Sequence, residues 1–170
     1  MYFSARALAV LAIFPCLAAA QPSTTYSIRT IAGSPRTAGD NGPATAALLW
    51  SPAGVSVDAA GNVYIADSGN ARIREVTPAG VITTVAGTIA GFGGDAGPAA
   101  SAELSFPTKA VIGPGGDLFI ADAANNRIRR VSPNGAITTF AGSGQPGFAG
   151  DNDAAANAQL NSPRDIAVDG

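Results

Sequence analysis

Apolar residues in this chain fall in short runs, many of them β-branched, cut at close intervals by turn formers. Val55 to Asp58, Val63 to Asp67, Arg72 to Val76 and Val81 to Ala86 are bounded by Gly54, Ala59-Ala60-Gly61, Ser68-Gly69-Asn70 and Pro78-Ala79-Gly80. Such runs predict four short strands joined by tight turns. The cadence returns at Ala110 to Ile112, Leu118 to Ala121, Arg127 to Val131 and Ala136 to Ala141, with Pro114-Gly115-Gly116 and Pro133-Asn134-Gly135 between them. Within the second strand Val63, Tyr64, Ile65 and Ala66 are apolar in succession. Successive strand residues point to opposite faces, so this strand needs cover on both.

The cadence is an internal repeat. NVYIADSGNARIR, from Asn62 to Arg74, returns as DLFIADAANNRIR from Asp117 to Arg129, identical at seven of thirteen positions and offset by 55 residues. A third element, IRTIAG up to Gly33, matches ITTVAG at Ile82 to Gly87 and ITTFAG at Ile137 to Gly142. Between these strands lie three Ala/Gly-rich connectors, each carrying Gly-Asp (Asp40, Asp95, Asp151), then a Leu, then a Pro (Pro52, Pro107, Pro163). The Asp follows the strand glycine by 7, 8 and 9 residues, so length varies in the connectors, where repeats tolerate it.

Four antiparallel strands per unit, two faces needing cover and a period near 55 predict an all-β fold made of β-propeller blades. A β-helix has a far shorter period, and a sandwich strand keeps one polar face. The unit GVSVDAAGNVYIADSGNARIREVTPAGVITTVAG resembles the NHL repeat, and the resemblance runs from Ser27 to Gly170. It implies a propeller, commonly six-bladed, used in many proteins as a binding surface. The expected organisation is an outer strand at 27–33, a first repeat at 34–87, a second at 88–142 and a truncated third at 143–170. Two full repeats do not close such a ring, so the reading is a fragment whose orphan amino-terminal strand and open sheet faces favour association.

Upstream, Arg6 precedes an apolar run from Ala7 to Ala20, and Ala18 and Ala20 suit a signal-peptidase site. Residues 1–20 are read as a leader too short to span a bilayer, residues 21–26 as a loose segment, and the product as secreted or periplasmic. Cys16 is the single cysteine and lies in the leader, so the mature fold needs no disulfide. With 46% hydrophobic and only 13% charged residues, the composition is that of a packed domain. Net charge is −2, and −3 without Arg6, which argues against nucleic acid or an anionic membrane as partner. Arg129 and Arg130 are adjacent in a strand, so they form no basic stripe.

Strand parity places the loop between strands two and three on the same side as the connectors. That face is the expected binding surface, and the turns at Gly61, Gly80, Gly116 and Gly135 are read as too small to hold a ligand. Residues recurring in every blade are first parts of the blade: Asp67 with Arg72, and Asp122 with Arg127, are expected to pair across the loop or towards the next blade. Positions that vary along the rim are the candidates for contact. Trp50 aligns with Ser105 and Asn161, and Gly54 with Lys109 and Asp165. The candidate ligand-binding set is Trp50, Asn70, Lys109, Asn125, Asn126, Arg164 and Asp165, for a protein, peptide or glycan.

Catalytic chemistry has little footing. The chain has no His, the mature part no Cys, and Glu75 and Glu103 are its only glutamates. Histidine triads, thiol nucleophiles and ordinary zinc sites are therefore absent from these residues, and no cofactor motif occurs. Asp151-Asn152-Asp153 lacks the Gly and distal Glu of a helix-loop-helix calcium loop. The alternative reading is part of an exported propeller enzyme, of lactonase or lyase type with a channel metal, whose reactive groups lie beyond Gly170.

Overall fold

The structure is a computed structural model describing residues 39–169; the leader, the 21–26 segment and the strand expected at 27–33 lie outside the described residues. Among the described residues nine strands follow in order: β1 Gly42–Pro43, β2 Pro52–Val57, β3 Val63–Asp67, β4 Arg72–Val76, β5 Val81–Ala86, β6 Pro107–Ile112, β7 Leu118–Asp122, β8 Arg127–Val131 and β9 Ile137–Ala141. They form two antiparallel sheets, ordered β1-β5-β4-β3-β2 and β6-β7-β8-β9. These are the two expected four-stranded blades, with β1 added outside the first.

Two differences from the sequence pattern have physical causes. The innermost strands begin at Pro52 and Pro107 rather than at Val55 and Ala110, and the register shifts between Pro52 and Val55 and between Pro107 and Lys109. A proline reads as a breaker, yet it is tolerated as the first residue of a strand or at a bulge, where no N–H is needed. The connectors also do more than link. Asn41 N donates to Ile82 O, and Ala44 N to Gly80 O, so the first connector lies along the outer strand β5. The second repeats this on β9, where Ala96 N donates to Ile137 O and Ala99 N to Gly135 O. Each blade's open edge is thereby satisfied by the connector that precedes it.

The main core lies between the blades. Tyr64, Ala66, Ile73 and Ala86 from the first meet Leu118, Ile120, Val131 and Ile137 from the second, with Ala99, Ala102 and Leu104 of the connector between them. A second cluster, Ala44, Ala47, Ile65, Val76 and Ile82, closes the opposite face of the first blade. The alternate residues of β3 thus enter two different cores, as its uninterrupted apolar sequence requires.

Candidate functional site

The connector face is built on a repeated ion-pair network. Arg74 on β4 and Arg129 on β8 are fully buried, as are Asp67 and Asp122 at the ends of β3 and β7. Arg74 reaches Asp40 Oδ1 at 2.6 Å and Asp67 Oδ2 at 3.4 Å; Arg129 reaches Asp95 Oδ1 at 2.6 Å and Asp122 Oδ2 at 3.3 Å. One buried arginine therefore joins the connector aspartate to the loop aspartate in each blade. Burial pushes the Asp122 carboxyl up, against the opposing pull of hydrogen bonds from Asn125 and Ser105 and of the Arg129 charge.

This corrects the expected pairing. Asp67 and Arg72 are cross-strand partners, as are Asp122 and Arg127, but the carboxylates pair with the arginine two residues further along the same strand face. Arg127 instead stacks over Phe92, 3.7 Å from the ring centre, and donates to the carbonyls of Asn125 and Ser143. Arg74 and Arg129 were already visible as identical repeat positions; what distinguishes them is the connector Asp that arrives from 34 residues upstream.

The loop aspartates also anchor the rim. Asp67 accepts from Trp50 N at 2.7 Å and from Asn70 Nδ2 at 2.9 Å, while Gly69 N donates to Trp50 O at 2.8 Å. A Cβ on Gly69 would lie 2.7 Å from Trp50 Cγ, so the indole rests directly on that glycine. The Trp50 backbone is clamped, yet its side chain is 65% exposed. Asp122 holds Ser105 N and Asn125 Nδ2 in the same way. After each of these positions comes a non-glycine residue with positive φ and then a proline: Ser51 at 49°, Phe106 at 51°, Ser162 at 47°. That conformation is costly for L-residues; at Ser51 and Phe106 it follows directly on a residue clamped by the loop aspartate. Ser68 Oγ donates to Pro107 O, bringing Phe106, 58% exposed, onto the same rim as Trp50.

Nearer the axis, Lys109 Nζ on β6 donates to Val55 O on β2 at 3.1 Å and lies 3.8 Å from Asp165 Oδ1, so one side chain links both innermost strands to the segment after Pro163. At the equivalent position a Cβ on Gly54 would meet Thr108 O at 2.3 Å, and only glycine fits. The candidate residues therefore divide. Asn70 and Asn125 give amide protons to the loop aspartates, and Asn126 bridges Gly144 O and Ser162 N. Trp50, Arg164 and Asp165 reach solvent, and Lys109 is half-buried. Phe106 joins them on geometric grounds; its signal in the sequence was an aromatic at a rim position where the other repeats carry Ser51 and Ser162. On the opposite face, clefts open between the turn regions of neighbouring blades, which a reading of single turns does not reveal.

Comparison with known proteins gives the same architecture. Residues 26–92 match the family model of the teneurin NHL domain. Human Teneurin-4 is 32% identical over 136 residues, which is 67% of this chain and 5% of that protein. The chain therefore spans only a small part of the curated relatives it matches. An auxiliary nutrient binding protein from Bacteroides thetaiotaomicron superposes with a TM-score of 0.52 at 25% identity, over 68% of this chain and 31% of its own. A protein of unknown function from the same organism superposes with a TM-score of 0.53 at 20% identity, over 62% of this chain and 27% of its own. With two antiparallel four-stranded blades and repeat signatures at a spacing of 55, this chain belongs to the NHL-repeat family of β-propeller proteins.

Proposed function

We propose that this protein is an exported binding module that captures a protein, peptide or glycan on its connector face. The observation that carries the reading is Trp50: a large aromatic whose backbone is clamped by Asp67 and Gly69, yet 65% exposed on the face that also carries exposed Phe106. Rigid exposed aromatics supply contact area at low entropic cost and dominate binding energy where they occur. Lys109, Arg164 and Asp165 add charge towards the axis of the same face. The likeness to a nutrient binding protein supports a capture role, and the apolar leader with Ala18 and Ala20 supports export.

Trp50 is the only tryptophan of the chain, so its emission reports on the rim directly. Cellohexaose, a mannan oligosaccharide and a proline-rich peptide are titrated against protein recovered from the secreted fraction, with the amino terminus sequenced in parallel. Expected are a mature start at Gln21, a saturable shift of Trp50 emission with at least one probe, and weaker capture in Trp50→Ala and Lys109→Ala at nearly unchanged unfolding midpoint. Retention of residues 1–20, or capture by both variants undiminished from that of the native protein, overturns the corresponding half of the reading.

A further inference from the structure

Repeat-equivalent positions also diverge towards the turn side, where the first blade faces the second. Asp58, Tyr64 and Glu75 stand there in the first blade; their equivalents Gly113, Phe119 and Arg130 lie on the far face of the second, since Leu118, Ile120 and Val131 take the side that meets the first. The second set is satisfied internally: Phe119 packs edge-on against Phe140, ring centres 5.1 Å apart, and Arg130 pairs with Asp117 at 3.0 Å. The first set is not equivalent chemistry in another guise. Asp58 is consumed by its own turn, accepting from Ala60 N, Asn62 N and Asn62 Nδ2 at 2.8 to 2.9 Å, and it also accepts from the Tyr64 hydroxyl at 3.3 Å. Glu75 is half-buried beside the same phenol and carries the charge that faces the gap.

That gap is a cleft of about 300 Å³ between the blades. Tyr64 and Glu75 form its polar end, and Val85, Ile112, Leu118 and Val131 its apolar wall. No Lys or Arg lines it among the described residues. A carboxylate beside an apolar wall, without a counter-cation, attracts a positive charge more strongly than one in open water. An aromatic ring next to it favours the same sign, and the volume is at the lower end of what small-ligand sites use.

We propose that this inter-blade cleft binds a small alkylammonium ligand, its amine on Glu75 and Tyr64 and its hydrocarbon tail against Val85, Ile112, Leu118 and Val131. The negative potential has a second signature. The Tyr64 phenol is pushed up to about 12, first by burial and then by the neighbouring Glu75 and Asp58 charges. The site is separate from the rim around Trp50 and stands or falls independently of it.

Hexylammonium chloride titrated into the full chain, followed by NMR of the Leu118 methyl and Tyr64 ring signals, tests this. Expected are saturable shifts confined to the cleft, affinity at least tenfold weaker for 1-hexanol, and a loss of tenfold or more in Glu75→Gln. Equal binding of the alcohol, shifts elsewhere only, or no saturation overturns the proposal. The alcohol comparison uses the native chain, so it decides the matter even if Glu75→Gln folds poorly.

Discussion

Arg129 and Arg127 differ by two positions on one strand face, and their environments differ by the arrival of one connector carboxylate. Arg129 is buried between Asp122 and Asp95, whereas Arg127 is half-buried over Phe92 with two carbonyl acceptors. Removing Arg129 leaves Asp122 buried without its counter-charge, the circumstance in which breaking an ion pair is most costly. Arg129→Met is expected to destabilise by about 3 to 5 kcal/mol. Arg127→Met, which loses a cation–π contact and two partly exposed hydrogen bonds, is expected to cost about 1 to 2 kcal/mol. Urea titration of both variants checks the ordering; the reverse would restore the Asp122 to Arg127 pairing that the sequence suggests.

At the scale of the element, the connector is the part whose role changes most between sequence and structure. Read along the chain it is an Ala/Gly-rich link of variable length, but in space it is an edge strand, an inter-blade filler and the carrier of the Asp that reaches the buried arginine. The third connector begins where Gly142 takes φ of 95° and passes so close to the preceding loop that a Cβ would lie 2.3 Å from Asn126 O. Gly135 has a similar φ of 84° but open space around it. Gly135→Ala is thus expected to cost only the conformational strain, about 1 to 2 kcal/mol. Gly142→Ala adds a clash with backbone that cannot rotate away, so its cost is expected to exceed that of Gly135→Ala by about 1 to 3 kcal/mol. Matching thermal midpoints for the two variants would show that the close crossing does not constrain the connector.

For the whole molecule, the shared core decides whether the blades behave as one unit. Leu104 comes from the connector, is fully buried, and packs in the cluster that holds Ile73 and Ala86 of one sheet and Ile120 and Ile137 of the other. In stacked repeats stability is a sum of unit and nearest-neighbour terms, and Leu104 belongs to the neighbour term. Leu104→Ala is expected to cost about 2 to 5 kcal/mol and to lower hydrogen-exchange protection in β3 to β5 and β7 to β9 together. Protection lost in one sheet alone would mean that the blades open independently. Val57, 65% exposed at the end of β2, serves as the contrast: Val57→Ala is expected to stay within about 0.5 kcal/mol.

The blades themselves were legible because strand pattern and turn chemistry are local. Val63 to Asp67 and Arg72 to Val76 carry their alternation and their flanking turns within a few residues, and the repeat states the same unit twice. The side on which Trp50, Asp67 and Asp122 gather also followed from strand parity alone. Other features depended on residues brought together from afar. Pairing of Arg74 with Asp40 spans 34 positions, Trp50 is clamped by Asp67 across 17, and Lys109 meets Val55 across 54. Cross-strand adjacency made Arg72 and Arg127 the natural partners; only the packed connector supplied the second carboxylate that drew Arg74 and Arg129 into the interior. The cleft at Tyr64 and Glu75 belongs to neither blade, since its charge comes from one and its apolar wall mostly from the other. Local sequence determines the strands and the turns, while burial and electrostatic pairing are properties of surfaces that exist only once the blades have stacked.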